Sequence, residues 1–411
     1  MKINGARLVG DLKELAQIGK SGRGVHRLAY TPEDRAARDW LVARMKAAGL
    51  APEIDGIGNV IGRMAERPKA VLMGSHTDSV PKGGWLDGAL GVIYALEIAR
   101  AVRESGAKGS VGVDVISFAE EEGTYYGTAG SLAFCGELDE GRFEKARSVT
   151  GKSLGDALAE AGYAGRPRAK LDPQRHVAFL EGHIEQGPRL EAAGKRIGIV
   201  TGIVGIRRYQ LTIVGQADHA GTTPMAMRKD AGAAAIALAA DIIARFQKIR
   251  AADSVWNFGH IKFEPGAGNV VPARSETLLE FRDTSDDVLK RMAAAVEEAA
   301  AALKKSHPVG VEATPLVALP PSAMDAKLMD VLEAATKAAG IDGVRMPSGA
   351  GHDAMILARH VPTAMLFIPS IGGRSHDGAE DTAEADVILG AEILARAVER
   401  IIAAPAGGIA A

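Results

Sequence analysis

Short apolar runs alternate along this chain with longer segments of helical periodicity, and several of the runs stop abruptly at polar residues. Ala70-Val71-Leu72-Met73 reads as a buried strand ending at Gly74-Ser75-His76-Thr77-Asp78-Ser79-Val80. Val60-Ile61 is strand-like, and the β-rich run Val111 to Phe118 is followed at once by Ala119-Glu120-Glu121-Glu122-Gly123. Val177-Ala178-Phe179-Leu180 leads into Glu181-Gly182-His183-Ile184-Glu185-Gln186-Gly187, and Ala364 to Ile368 precedes Ser375-His376-Asp377. Helices fill the intervals. Thr31-Pro32-Glu33-Asp34 offers a capping threonine and a first-turn proline, and the helix it starts runs to a left-handed stop at Gly49. Leu90 to Val102 has helical periodicity after Gly88, as do 325–338 and a final segment ending near Ile402. Residues 136–176 are charged and Gly-rich, with only short helical patches. Strand–helix alternation of this kind predicts a mainly parallel, helix-covered sheet.

From about Arg207 the texture changes. Tyr209 to Val214 alternates like a half-exposed strand, an Ala-rich helix spans about Ala231 to Phe246, and strands follow near 255–263 and 276–282. A helix over about 286–304 and a strand near Val309 to Leu316 precede Pro320-Pro321. Two helices on one face of a small antiparallel sheet account for this stretch. The expected fold class is therefore α/β: a mixed, mainly parallel, helix-covered sheet built from 1–206 and 321–411, with 207–320 inserted as an α+β domain. No internal repeat is visible, and low complexity is confined to the Ala-rich helices and the Ala/Gly tail.

Composition narrows the function classes. The length of 411 residues allows two domains with proper cores. A formal net charge of -2 gives no electrostatic reason to expect nucleic acid or an anionic membrane as partner. Met1 to Gly19 mixes charged and apolar residues like an amphipathic helix rather than a signal peptide, and no apolar run is long and charge-free enough to span a bilayer. The single cysteine, Cys135, excludes an intramolecular disulfide and suits a reducing cytoplasm, where it is expected to be a small core residue. A cytoplasmic protein is expected.

Four segments place ionisable residues just beyond an apolar run: His76/Asp78/Asp87, Glu121/Glu122, His183/Glu185 and His376/Asp377. Parallel strands of one sheet bring their C-terminal ends together, where ligands and chemistry gather. Imidazoles and carboxylates crowded there would repel or lose hydration unless cations held them. Two divalent ions sharing a bridging carboxylate would resolve the conflict, with zinc, manganese, cobalt and nickel all suited to such donors. That pair would acidify a shared water and leave a nearby carboxylate to take its proton. On pattern alone, scattered polar loops remain the alternative.

The motifs His76-Thr77-Asp78-Ser79-Val80, Gly84-Trp85-Leu86-Asp87-Gly88, Glu121-Glu122-Gly123, His183-Ile184-Glu185-Gln186-Gly187 and Asp218-His219-Ala220-Gly221-Thr222-Thr223-Pro224 resemble those of the M20-type binuclear metallo-amidohydrolases. The resemblance is closest to the hydantoinase/carbamoylase branch, which holds N-carbamoyl-L-amino acid hydrolases, allantoate amidohydrolases and β-ureidopropionases. Asn269-Val270-Val271-Pro272, Ser348 to Asp353 and Ser375-His376 match in order, so the likeness spans nearly the whole chain.

What the resemblance implies is specific. His76 and His183 would sit on one metal and Glu122 and His376 on the other, with Asp87 bridging. Glu121 would be the general base, and Asp78 would orient the His76 imidazole. The peptidase relatives typically carry a carboxylate where this chain has His183. On the substrate side the likeness points to Gln186, Arg207, His219, Asn269, Arg282 and Gly351. Arginine can grip a carboxylate bidentately, asparagine can pair with a ureido group, and His219 can donate to an oxyanion. The inserted domain would form the interface of a homodimer, the partner subunit could supply His219 and Asn269, and domain closure would assemble the site.

Plainer readings stand beside these. Arg207 and Arg208 could be charges on an edge strand, Arg282 could pair with Glu280 or Asp283, and Glu120 is expected to be solvated. Two departures bear on the substrate: Thr124-Tyr125-Tyr126 stands where relatives commonly have Ser-Arg-Phe, and Arg374 where an apolar residue is common. The expected function is hydrolysis of a linear, non-peptide C–N bond in a small molecule such as an N-carbamoyl-L-amino acid or an allantoate-like ureido acid. The alternatives are an N-acyl-amino-acid deacylase or dipeptidase on the same metals and, from another class, a non-catalytic dimeric binding protein.

Overall fold

A computed structural model describes residues 1–106 and 109–404; the Ala/Gly tail expected from sequence lies beyond them. The chain forms two compact units, one from residues 1–201 together with 323 onward, the other from 202–322.

In the first unit a mixed sheet runs in the order Gly198–Ile203, Thr363–Ile368, His176–Ile184, Lys69–His76, Val111–Phe118, Val60–Arg63, Ala51–Ile54. The four strands from Thr363–Ile368 to Val111–Phe118 are mutually parallel, and the flanking pairings are antiparallel. The parallel strands are apolar almost without a break because helices cover both faces. Helix Ala89–Glu104 is buried along nearly its whole length, with Tyr94 donating its hydroxyl to the Val387 carbonyl on helix Glu384–Ala403. The register is set so that His76 lies opposite Phe118 and Ile368 opposite Ile184, which levels the C-terminal ends of all four strands.

Helix Pro32–Ala47 begins with Thr31 as its cap, accepting from the Asp34 N–H, and Gly49 follows it with φ +75°. Strands Gly198–Ile203 and Val344–Ser348 were not foreseen. The second contains Arg345 and Pro347 and pairs only with the first, a position at which a missing N–H is tolerated. Cys135 ends the short helix Ala129–Cys135 and is partly exposed, rather than the core residue expected, because the chain turns outward at Gly136.

The second unit is a four-stranded antiparallel sheet in the order Val255–Glu264, Arg274–Asp283, Gly205–Val214, Gly310–Leu319. Helices Ala231–Ile249 and Asp286–Ser306 cover one face, capped by Asp230 and Ser285. Strict alternation along Arg274–Asp283 sends Leu279 and Phe281 into a core shared with Leu238, Phe246, Leu289 and Met292. Among the described residues no helix is long and apolar enough to cross a membrane.

Candidate metal centre

His76 is the last residue of its strand, and Asp87 stands just before the helix that returns along the sheet. Gly88, directly after Asp87, has φ +64°, and a methyl group there would overlap the His76 ring. Glycine is therefore required for this close approach.

Asp87 divides its two oxygens between two groups of donors. Oδ1 lies 3.2 Å from His183 Nε2 and 3.7 Å from His76 Nε2. Oδ2 lies 3.3 Å from His376 Nε2, which is itself 3.5 Å from Glu122 Oε2. Glu121 stands outside both triads, its Oε2 3.7 Å from His76 Nε2.

Two features fit this cluster to cations. The Nδ1 atoms of His76 and His183 lie 3.0 and 2.9 Å from the carbonyl oxygens of Asp78 and Ile184. A carbonyl only accepts, so each Nδ1 carries a proton, and each ring when neutral presents an Nε2 lone pair toward Asp87 Oδ1. Acceptor facing acceptor in a buried site calls for a positive charge between them. In addition, Glu122 Oε1 and Gln186 Oε1 are buried without a hydrogen-bond partner.

The electrostatics carry the same strain. Burial would raise the Asp87 carboxyl, but His183 and His376 outweigh it and hold it well below the usual carboxylate range. Burial opposes a charged His183, yet Asp87 raises it to about 9. Glu121 is pushed well up by burial and by the neighbouring Glu122. Glu122 is pushed up by burial and by Asp87.

Asp78 meets the His76 imidazole through its main chain. Its carbonyl, not its carboxylate, meets the His76 imidazole; the carboxylate oxygen is 3.8 Å away. The carboxylate instead accepts from the Glu121 and Glu122 N–H groups at 3.4 and 3.2 Å and so holds the loop carrying both. Glu120 is also not solvated. It is fully buried with φ +62° and accepts from the N–H groups of Tyr125 (2.6 Å), Tyr126 (2.9 Å) and Gly127 (2.8 Å). The loop folds around it because three converging N–H groups need an acceptor. Tyr126 in that loop receives Arg142, whose guanidinium lies 4.1 Å over the ring.

Gln186, φ +58°, donates from Nε2 to Asp87 Oδ2 (3.0 Å) and to Ser375 Oγ (3.3 Å), so it faces the bridging carboxylate directly. Gly351 lies in a loop where Ser348 Oγ meets His352 Nε2 at 2.8 Å. The His352 ring packs edge-on against His183 at 4.6 Å. Arg374 pairs with Asp377 at 3.0 Å.

In the second unit, His219 Nδ1 accepts from the N–H groups of Gly221 (3.0 Å) and Thr222 (3.2 Å), which leaves the proton on an exposed Nε2. The Ala220 N–H donates to the Asn269 carbonyl (3.0 Å), pairing the two loops. Arg282 donates from Nε and Nη2 to Glu280 Oε1 at 2.9 and 2.7 Å, and Arg208 shares the same carboxylate, all on the sheet face away from the helices. Arg207 is not on an edge strand: its strand is flanked on both sides. It lies opposite Phe281 on the helix-covered face and is committed there, donating to Asp286 (2.9 Å) and to the Leu319 carbonyl (2.7 Å). That placement engages its guanidinium within the inserted unit.

Residues 72–400 match the model of the peptidase family M20/M25/M40. The chain belongs to that family. It is 38% identical over 402 residues to the N-carbamoyl-L-amino acid amidohydrolase of Geobacillus stearothermophilus, covering 95% of this chain and 97% of that one. It is 36% identical over 379 residues to the allantoate amidohydrolase of Escherichia coli K12, covering 90% and 92%. The crystal structure of an amidase of the hydantoinase/carbamoylase family from Burkholderia phymatum superposes with a TM-score of 0.91 at 47% identity, covering 98% of each chain.

Within this M20 chain, sequence reasoning missed two groups that brace the centre. Arg27, fully buried, donates to the carbonyls of Thr77 (2.6 Å), Leu15 (3.0 Å) and Ile18 (2.8 Å) behind the His76 loop. Glu380 accepts from the Leu86 and Asp87 N–H groups. Only Glu380 had a signal to find it, four residues after His376 in the motif Ser375-His376-Asp377-Gly378-Ala379-Glu380.

Proposed function

We propose that this chain is a metal-dependent amidohydrolase of a linear, non-peptide C–N bond, acting on an N-carbamoyl-L-amino acid or an allantoate-like ureido acid. The observation that carries the metal reading is Asp87, whose two oxygens face two separate donor pairs, His76/His183 and Glu122/His376, completing a triad with each. The names of the relatives support the substrate class.

Two divalent cations held by these five residues would supply Lewis acidity and a water acidic enough to lose a proton near neutral pH. Glu121, next to both triads but in neither, takes that proton on its carboxylate and later delivers it to the leaving nitrogen. His219 donates a hydrogen bond from its Nε2–H to the oxygen of the attacked carbonyl. Arg282 and Asn269 receive the carboxylate and polar end of the substrate. Arg207 instead braces the inserted unit, which in this reading also serves as lid and as the interface of a homodimer. A carbamoyl group leaves as carbamate, which breaks down to carbon dioxide and ammonia.

The test is ammonia release by metal-reconstituted protein from N-carbamoyl-L-amino acids, N-carbamoyl-β-alanine and allantoate. N-acetyl-amino acids and dipeptides are assayed in parallel for free amino acid. Ammonia from a ureido compound is expected. Free amino acid from acyl compounds alone would reassign the chain as a deacylase or dipeptidase, the direction in which Thr124-Tyr125-Tyr126 leaves room.

A further inference from the structure

Glu380 is buried, and both its oxygens are in use. Oε1 accepts from the N–H groups of Leu86 (3.1 Å) and Asp87 (3.0 Å), and Oε2 accepts from Ser375 Oγ (2.8 Å). The first pair fixes the backbone that carries Asp87, and the second fixes the residue before His376. Ser375 Oγ also reaches Asp87 Oδ2 at 3.3 Å. One carboxylate thus ties together segments from opposite ends of the chain. The room it occupies depends on Gly84, because a methyl group there would overlap the Glu380 carboxylate.

The two donor triads are not held equally. His76 and His183 end or nearly end buried strands, and each is tied by Nδ1 to a main-chain carbonyl. His376 sits on a loop with φ +54°, its side chain 53% exposed. Its preceding residue, Ser375, is anchored to Glu380.

We propose that Glu380 is a positioning residue that holds Asp87 and His376 at the separation a second cation requires, so that the Asp87/Glu122/His376 triad depends on it. This rests on the two-metal reading above.

The test titrates Mn²⁺ or Co²⁺ into metal-stripped full-length protein by calorimetry, with the Co²⁺ absorption spectrum as a second readout. Wild-type protein takes up two ions per chain. Glu380→Ala binds the first ion as wild type does and the second about 10–100-fold more weakly, the usual effect of removing a group that orients a ligand. Glu380→Gln, which keeps an oxygen for the two N–H groups, recovers part of the loss. Gly84→Ala leaves Glu380 and every ligand in the sequence, yet reproduces the Glu380→Ala pattern, and it decides the matter if Glu380→Ala fails to fold. A merely structural role would lower the Tm of the stripped protein while leaving both affinities unchanged. Two ions bound equally well by wild type and by both variants would overturn the positioning role and leave the two-metal reading standing. Wild-type protein that takes up no ion would overturn both.

Discussion

His76 and His183 are buried at the ends of parallel strands, with Asp87 buried just before the following helix, whereas His219 and Asn269 lie exposed on paired loops of an antiparallel unit. The first group is held by strand register, by carbonyls that accept from each Nδ1–H and by Glu380 at the Asp87 N–H, so its geometry exists before any substrate arrives. The second group is held by hydrogen bonds within its own loops, where few buried contacts oppose change. Clustering acceptors in a dry site costs stability until cations enter, whereas an exposed imidazole costs almost nothing. In the proposed reading, reaction chemistry is thus placed where the fold is rigid, and substrate choice where it is tolerant.

Glu121→Gln tests the rigid half most severely. The amide keeps the shape but cannot take a proton, so kcat should fall about 10²–10⁴-fold while ion uptake stays at the wild-type level. Steady-state kinetics together with metal analysis checks both. Turnover at the wild-type rate would remove Glu121 from the mechanism.

His219→Ala sharpens the contrast from the other side. Loss of its Nε2 donor should lower kcat about 10²–10³-fold, and metal binding should not respond, because the ring's hydrogen bonds are to Gly221 and Thr222 of its own loop. If ion affinity fell as well, the two halves would not be separable in the way described here.

The parts of this molecule legible from sequence were those in which side-chain period and chemistry coincide. Each of the parallel strands reads as an apolar run stopping at ionisable residues, and parallel order makes those stops converge whatever the detailed packing. The roles of Glu120 and Glu380 were not legible, even though Glu380 stands in the His376 motif, since they depend on a left-handed backbone in one case and on a contact between distant segments in the other. Asp78 shows the limit more finely: its residue type fitted a carboxylate–imidazole pair, but the strand-end geometry turns its carbonyl to His76 and frees the carboxylate for the next loop.

Protons and cations compete for the buried half. In metal-free protein Asp87 overcomes burial and raises His183 to about 9, against about 6.5 for an ordinary histidine. A cation needs Nε2 unprotonated, so affinity at the His76/His183 triad should rise about tenfold per pH unit up to about pH 9 and then level off. Stability of the stripped protein runs the opposite way. The raised pKa means that the His183–Asp87 pair stabilises fully below about pH 6.5 and is lost as pH rises through about 9. Calorimetry in buffers of different ionisation enthalpy, with melting curves over the same range, measures both. An affinity flat over that range would show that no proton is displaced.

The smallest effect is expected at Glu120, which touches no substrate and is not among the donors of either triad. Glu120→Ala leaves the N–H groups of Tyr125, Tyr126 and Gly127 without their acceptor. Leaving buried donors unsatisfied costs about 1–3 kcal/mol, read as a Tm lowered by about 2–4 °C for each kcal/mol in a unit of this size. Glu120→Gln retains one oxygen and should lose less. Because the same loop presents Glu121 and Glu122, kcat should fall modestly in step with the loss of stability, and added Mn²⁺ should restore part of both by binding only the folded loop. A Glu120→Ala protein that melts with the wild type would mean that the loop holds its shape through Asp78 alone, and the rigid half would then be braced from one side rather than two.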